Sequence, residues 1–242
     1  MFMSDKGYTI VEMLIGMAIV SLVVAGIYNL VISSSRTYLA QNATVEMQSD
    51  GRAAMDFLAR ELRQAFDNPT ISTAHTTNDT ISFNRVEETG YSSGGNTATT
   101  LNDTRKSWGA GSFAPSATSS FTARIISGTG TGQVRTISNN SSTQLTLSQA
   151  WGTVPDATSV YAITINKGFT RTSASDNVLR YRIGATGANN PLAENITSHS
   201  FSQPSPNTLR ITLTARTKSI DPNTKQYRYY TLTEDVNIRN NM

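Results

Sequence analysis

The alternation of hydrophobic and polar positions divides the chain into three kinds of stretch. From Met13 to Ile32 the residues are almost all apolar, interrupted only by Ser21, Asn29 and two glycines. A helix of about 20 residues rises roughly 30 Å, the thickness of a bilayer's hydrocarbon core, so this run predicts a membrane-spanning helix. Glu12 stands at its front edge, where a charge carried deep and unpaired costs on the order of a few kcal/mol. Two readings of it compete: a carboxylate resting at the interface near the positive end of the helix dipole, or one placed there for a partner.

From Ser33 to Ala65 the pattern changes but the helix continues. No proline occurs before Pro69, and the stretch is rich in Ala, Gln, Glu, Met, Leu and Arg, all compatible with a helix. Met47, Met55, Leu58, Leu62 and Phe66 recur at three-to-four spacing and share a face that must pack on something. Arg52 with Asp56, and Asp56 with Arg60, are spaced to pair on the opposite side. Gly51 reads as a weak point or a point of close contact. The whole element, from about Thr9 to Phe66, would be a rod of roughly 85 Å. A helix apolar all round in its first half and amphipathic in its second suits a membrane or helical bundle followed by a globular sheet.

Asn68-Pro69 ends the helix, and the rest reads as strands in a Thr, Ser, Asn and Gly background. Thr80–Val86 alternates Ile81 and Phe83 against polar neighbours and predicts a first strand under the helix. The stretch TGYSSGGNTATT after Glu88 reads as a loop and a boundary. Residues 101–165 have their own character, with both tryptophans, Trp108 and Trp151, and four short strands predicted at Phe121–Ile126, Val134–Ile137, Gln144–Leu147 and Val160–Ile165. Two tryptophans among β-branched strands suffice for a small separate core. The glycines of SGTGTGQ lack the spacing of a nucleotide loop and are followed by a strand pattern, so a tight turn is expected there. Larger strands follow at Val178–Ile183, Leu209–Arg216 and Tyr227–Ile238. In the second of these Leu209, Ile211, Leu213 and Ala215 face one way and Arg210, Thr212, Thr214 and Arg216 the other.

Composition narrows the function classes. The charged fraction is 15% and the net charge +3, with no Lys/Arg run of the kind a dedicated nucleic-acid binder carries. There is no cysteine and there are only two histidines, His75 and His199, so disulfides, thiolate sites, a cysteine nucleophile and a His-based metal cluster are not expected. No catalytic constellation stands out. Glu87 and Glu88 are adjacent and would point apart in a strand, or sit in a solvated loop. Asp103, Asp156 and Asp176 read as turn residues without EF-hand spacing. Neither an enzyme nor a cofactor or metal requirement is expected. Tyr227, Arg228, Tyr229 and Tyr230 place aromatics beside a cation, a combination that suits stacking on DNA bases or sugars, although such a run is more often a sheet edge.

The order Lys6-Gly7-Tyr8-Thr9-Ile10-Val11-Glu12 ahead of the apolar run resembles the class III signal of type IV prepilins: a short hydrophilic leader ending in Gly, an aromatic residue next, and Glu fifth after the cleavage point. An ordinary secretory signal would be cut after its apolar core, whereas cleavage ahead of it keeps the anchor. The segment QSDGRAAMDFLARELRQAF, and the later LAENITSHSF and EDVNIRN, resemble PilW-type minor pilins and the J-type minor pseudopilin of type II secretion. Residues 101–165 resemble a β module of phage-tail and bacterial surface proteins.

The resemblance implies an α+β pilin-like fold with an inserted all-β module. The leader would be residues 1–7, the transmembrane and filament-core helix 8–32, the amphipathic helix 33–67, the pilin sheet domain 68–90 with 166–242, and the insert 91–165. It implies a minor pilin that initiates or caps the filament, with a type II secretion pseudopilin and a tip adhesin or DNA-binding subunit as alternatives. Its implied partners are prepilin peptidase, other major and minor pilins, the inner-membrane assembly platform and the bilayer. Gly7 and Tyr8 would be the sites of cleavage and N-methylation and Glu12 the assembly residue. Tyr227, Arg228, Tyr229, Tyr230, Trp108 and Trp151 are candidate contacts to a surface ligand or DNA. The implied location is the inner membrane, single-pass with the N-terminus cytoplasmic, and then a surface pilus or a periplasmic pseudopilus.

Overall fold

A computed structural model gives the fold, described for residues 9–67, 69–72, 80–116, 119–170, 176–184 and 189–238. Gly7, Tyr8 and His75 lie outside the described residues. One long helix, α1 (Ile10–Leu62), is followed by antiparallel β-sheets, an α+β pilin-like arrangement. The helix ends four residues before the expected Phe66. Gln64 N–H bonds the carbonyl of Glu61 and Ala65 N–H that of Leu62, both at 3.1 Å, the three-residue tightening common in a last helical turn. Ala65 then bridges Arg85, and Phe66 N–H donates to Asn84 O at 2.8 Å.

The chain divides into two compact units, residues 1–46 with 217–228, and residues 47–216 with 229–242. In the first unit every large apolar side chain from Ile10 to Val31 is between 55% and 79% exposed. Apolar surface on this scale is not left to water; it demands lipid or protein. In the loop of this unit, Asp221 is buried and accepts the guanidinium of Arg228 (Nε 2.8 Å, Nη2 2.5 Å) and the N–H groups of Asn223 and Thr224. These contacts, the Asn223 amide foremost, hold the Asp221 carboxyl below the usual carboxylate range. The turn at Asp221-Pro222-Asn223 is thus closed by its own aspartate.

The second unit holds two sheets. Strands β1 (Thr70–Ser72), β2 (Thr80–Tyr91), β3 (Thr100–Asn102), β4 (Phe121–Ser127), β5 (Val134–Asn140), β6 (Gln144–Leu147) and β7 (Val160–Thr170) pair in the order β1-β2-β7-β4-β5-β6-β3, while β8 (Leu179–Ile183) joins β7 and carries β9 (Asn189–Ala193). The other sheet is β10 (Ile196–Ser205), β11 (Thr208–Arg216) and β12 (Tyr229–Asn237), in that order.

Two cores form. In the first, Met47, Met55, Leu58 and Leu62 of α1 meet Ile81, Phe83, Phe169 and Leu179 of one sheet and Phe201, Leu209, Ile211, Leu213, Ala215 and Val236 of the other. The inward row of β11 is therefore the one the alternation predicted. Gly51 lets the helix approach closely: a Cβ there would sit 3.4 Å from Leu232 Cδ1. In place of the expected Arg52–Asp56 and Asp56–Arg60 pairs, Arg63 reaches Glu234 at 2.8 Å and Arg60 lies over the Phe57 ring.

The second core gathers Leu101, Trp108, Ile125, Ile137, Leu145, Leu147, Trp151, Tyr161 and Ile163. β7 serves both cores, with Tyr161 and Ile163 in one and Phe169 in the other, and it runs unbroken through residues 165 and 166. β2 likewise continues through Thr89, Gly90 and Tyr91, which composition assigned to a loop. The physical reason is cross-strand support. Glu88 to Tyr91 ladder onto Ile163 to Val160, and Gly90 leaves the room in which Tyr161 OH donates to the buried Asp103 at 2.9 Å. Gly128, Gly130 and Gly132 form the expected turn between β4 and β5, all with positive φ.

Candidate functional site

The chemistry at the helix start is built by two residues, Thr9 and Glu12. Thr9 precedes α1 as its N-cap. Its Oγ1 accepts from Glu12 N–H at 3.2 Å, while the Glu12 carboxylate accepts from Thr9 N–H at 2.9 Å and from Thr9 Oγ1 at 3.1 Å. This is a reciprocal capping box, in which the two side chains satisfy donors that the first helical turn cannot. The sequence reading gave Thr9 no role, although Thr-x-x-Glu ahead of an apolar run is the signature of such a box. Glu12 is the only charged residue between Thr9 and Ser35. Its carboxylate is therefore partnered within its own chain at the edge of the apolar run. Among the described residues α1 is the helix long and apolar enough to cross a membrane.

The remaining candidates are scattered. β12 begins only at Tyr229, where Tyr229 is 60% exposed and Tyr230 turns inward against the first core. Arg228 is engaged by Asp221 and lies 3.4 Å from Thr44 Oγ1. Tyr227 is half-buried. Consecutive side chains alternate on a strand, so Tyr229 and Tyr230 do not make one stacking surface. Trp108 and Trp151 are core residues with their N–H groups in use, Trp108 Nε1 donating to Glu88 Oε2 at 2.8 Å and Trp151 Nε1 to Thr100 O at 3.2 Å.

The acidic pair Glu87 and Glu88 lies in β2, not in a loop, and the two part company. Glu87 takes Arg85, whereas Glu88 takes Lys106 at 2.7 Å together with Trp108. Among the described residues no group of three His, Asp or Glu side chains is placed to hold a metal.

Sequence reasoning missed one buried ionic cluster. Glu61, in the last turn of α1, accepts from Arg85 Nη1 (3.2 and 3.3 Å), Lys167 Nζ (3.3 Å) and Tyr181 OH (3.1 Å), with Glu87 3.7 Å from the same lysine. Glu61 and Lys167 are both under a tenth exposed. Burial, with Arg85 adding to it, lowers the Lys167 pKa despite the two carboxylates, and burial raises that of Tyr181. The available signal was a lone lysine inside the strand-like run VYAITINKGFT.

Comparison with protein families finds the prokaryotic N-terminal methylation motif over residues 2–28. No curated protein and no solved structure matches the chain. The matched span takes in Gly7, Tyr8, the Thr9–Glu12 box and most of the exposed apolar run. Together with one long helix leading into antiparallel sheets, the motif supports a type IV pilin-like protein. More particularly, it indicates a type IV pilin or pseudopilin. Such a signal implies processing by prepilin peptidase and assembly with other pilins, and the apolar helix fits membrane anchoring.

Proposed function

We propose that the chain is a minor type IV pilin of the PilW kind, a structural subunit that helps to initiate or cap the filament and has no catalytic role. The observation that carries this reading is the methylation motif placed on a helix whose apolar surface is uncovered along its whole first half. On this reading the peptidase cuts after Gly7 and the new Tyr8 amine is methylated. The subunit waits in the inner membrane with its N-terminus cytoplasmic and enters the filament through the assembly platform.

Glu12 is satisfied by Thr9 while the subunit stands alone. When the helix leaves the bilayer for the protein interior of the filament, the carboxylate pairs with the Tyr8 amine of its own or a neighbouring chain. A buried carboxylate is tolerable when paired with a cation and costly without one.

The test is the composition of sheared surface filaments from a piliated host. The chain is expected there at a small fraction of the major subunit, and its loss is expected to lower filament number. Confinement to the membrane fraction, with piliation unchanged in its absence, would contradict the proposal.

A further inference from the structure

The sheet edges of this fold are not treated alike. An exposed strand edge offers unpaired N–H and C=O groups to any passing strand, and proteins blunt it by shortness, proline, bulges or lysine. β1 and β3 are three residues each, and β9 is five residues with Pro191 within it. β10 contains Pro204 and is broken by register shifts at Ile196/Ser198 and Ser202/Ser205. β12 lacks the first three devices, and its two charges, Glu234 and Asp235, are each held in an ion pair, by Arg63 and Arg210. It runs nine residues, YYTLTEDVN, without proline or lysine, and pairs with β11 from Thr208↔Asn237 to Arg216↔Tyr229 with no register shift. Its one charge on the core side, Glu234, is already engaged by Arg63.

The ladder also fixes which backbone groups are on offer. Ile238 N–H donates to Asn207 O at 2.8 Å, one step beyond the Thr208↔Asn237 pair and in the same register. Antiparallel pairs alternate between hydrogen-bonded and non-bonded, so Tyr230, Leu232, Glu234 and Val236 spend their N–H and C=O groups on β11. Tyr229, Thr231, Thr233, Asp235 and Asn237 then direct theirs away from it. All five of these residues are exposed. The result is a row of five donor and acceptor sets at intervals of about 6.8 Å, twice the rise of a strand residue.

We propose that the edge of β12 left unpaired among the described residues is a strand-addition site, filled by an extended segment of a different subunit of the same filament. The inference rests on the pilin reading above. Only another extended backbone matches donors and acceptors at that repeat. The segment would set its apolar side chains beside the half-buried Tyr230 and Leu232 and its polar ones beside Thr231 and Thr233. A different subunit is indicated because the opposite edge of the same sheet, β10, is blunted, which blocks repeated β12-to-β10 addition between copies of this chain.

The test compares the full chain with Thr233→Pro, Thr233→Ala and Leu232→Pro in a piliated host. Thr233→Pro removes an N–H that β11 does not use, as edge positions tolerate. It is expected to be processed at the N-terminus and to melt in detergent like the parent, yet to fall at least tenfold in sheared filaments. Thr233→Ala is expected at the parental level, because the contact is made by backbone. Leu232→Pro, which breaks the β11 ladder, is expected to melt early.

Residue-resolved amide exchange gives a readout independent of any variant. Assembly should newly protect Thr231, Thr233 and Asp235, while Leu232 and Glu234 are already slow in the free subunit. Parental incorporation of Thr233→Pro, absence of that alternation, or a purified dimer cross-linked through β12 would overturn the proposal. Failure of the parent itself to be processed and to reach filaments would instead strike the pilin reading, and this inference would fall with it.

Discussion

Glu61→Ala is expected to cost the second unit about 3–5 kcal/mol, the range seen when one member of a buried ion cluster is removed. The size follows from what is left behind. Lys167 is on the central strand β7, its side chain 6% exposed, and Glu61 is its nearest carboxylate at 3.3 Å against 3.7 Å for Glu87. Without Glu61 the lysine and Arg85 share the single carboxylate of Glu87, and the Tyr181 hydroxyl loses its acceptor. Burial already depresses the Lys167 pKa, and removing Glu61 depresses it further.

The unfolded chain, with a lysine pKa of about 10.4, then binds more protons than the folded one in the window just below that value. Stability therefore rises with pH across it, and part of the loss should return between neutral pH and about pH 9.5. Replacing both Glu61 and Lys167 with apolar residues of similar volume should cost far less than Glu61→Ala alone. Denaturant melts of the full chain in detergent at two pH values measure this. A loss below about 1 kcal/mol with no pH dependence, the behaviour of a solvated pair, would contradict it.

Glu12 variants should separate two roles of one carboxylate. Glu12→Ala removes both the cap on Thr9 and the charge. Glu12→Gln keeps the cap, since glutamine serves in a capping box, and removes only the charge. On the proposed reading both insert into the membrane normally, and both fall at least about tenfold in sheared filaments, the equivalent of 1.4 kcal/mol or more. Insertion is unaffected because a single interfacial side chain adds little to the burial of some twenty apolar residues. Parental incorporation of Glu12→Gln would show that capping is the whole of the residue's contribution.

The parts of this structure legible from sequence are those where one periodicity dominates. The apolar run is unmistakable at any reading. The three-to-four spacing of Met47, Met55, Leu58 and Leu62 named the buried face of α1, and the strict alternation of LRITLTAR named the inward row of β11. The boundary of β2 was not legible, because Gly90 and Tyr91 have loop composition and are held in the strand by Tyr161 and Asp103, residues far along the chain. The short strands β1, β3 and β9 carry too few residues to show a period. β12 starts two residues later than the pattern predicts because Tyr227 and Arg228 continue an aromatic-rich pattern while their backbone belongs to the loop closed by Asp221. The Glu61 cluster was hidden because its members lie on a helix and three strands, at positions 61, 85, 167 and 181, and only folding brings them together. At the helix start Glu12 is legible and Thr9 is not, since a charge is conspicuous in an apolar setting and a hydroxyl is not.

The central claim is that the N-terminus is a processing and assembly signal and not a simple anchor. Mass spectrometry of the N-terminal peptide of the mature protein tests it most directly, using cells that contain an active prepilin peptidase. The expected result is a chain beginning at Tyr8 with its amine methylated and residues 1–7 absent. A chain that retains Met1 through Gly7 under those conditions would contradict the account.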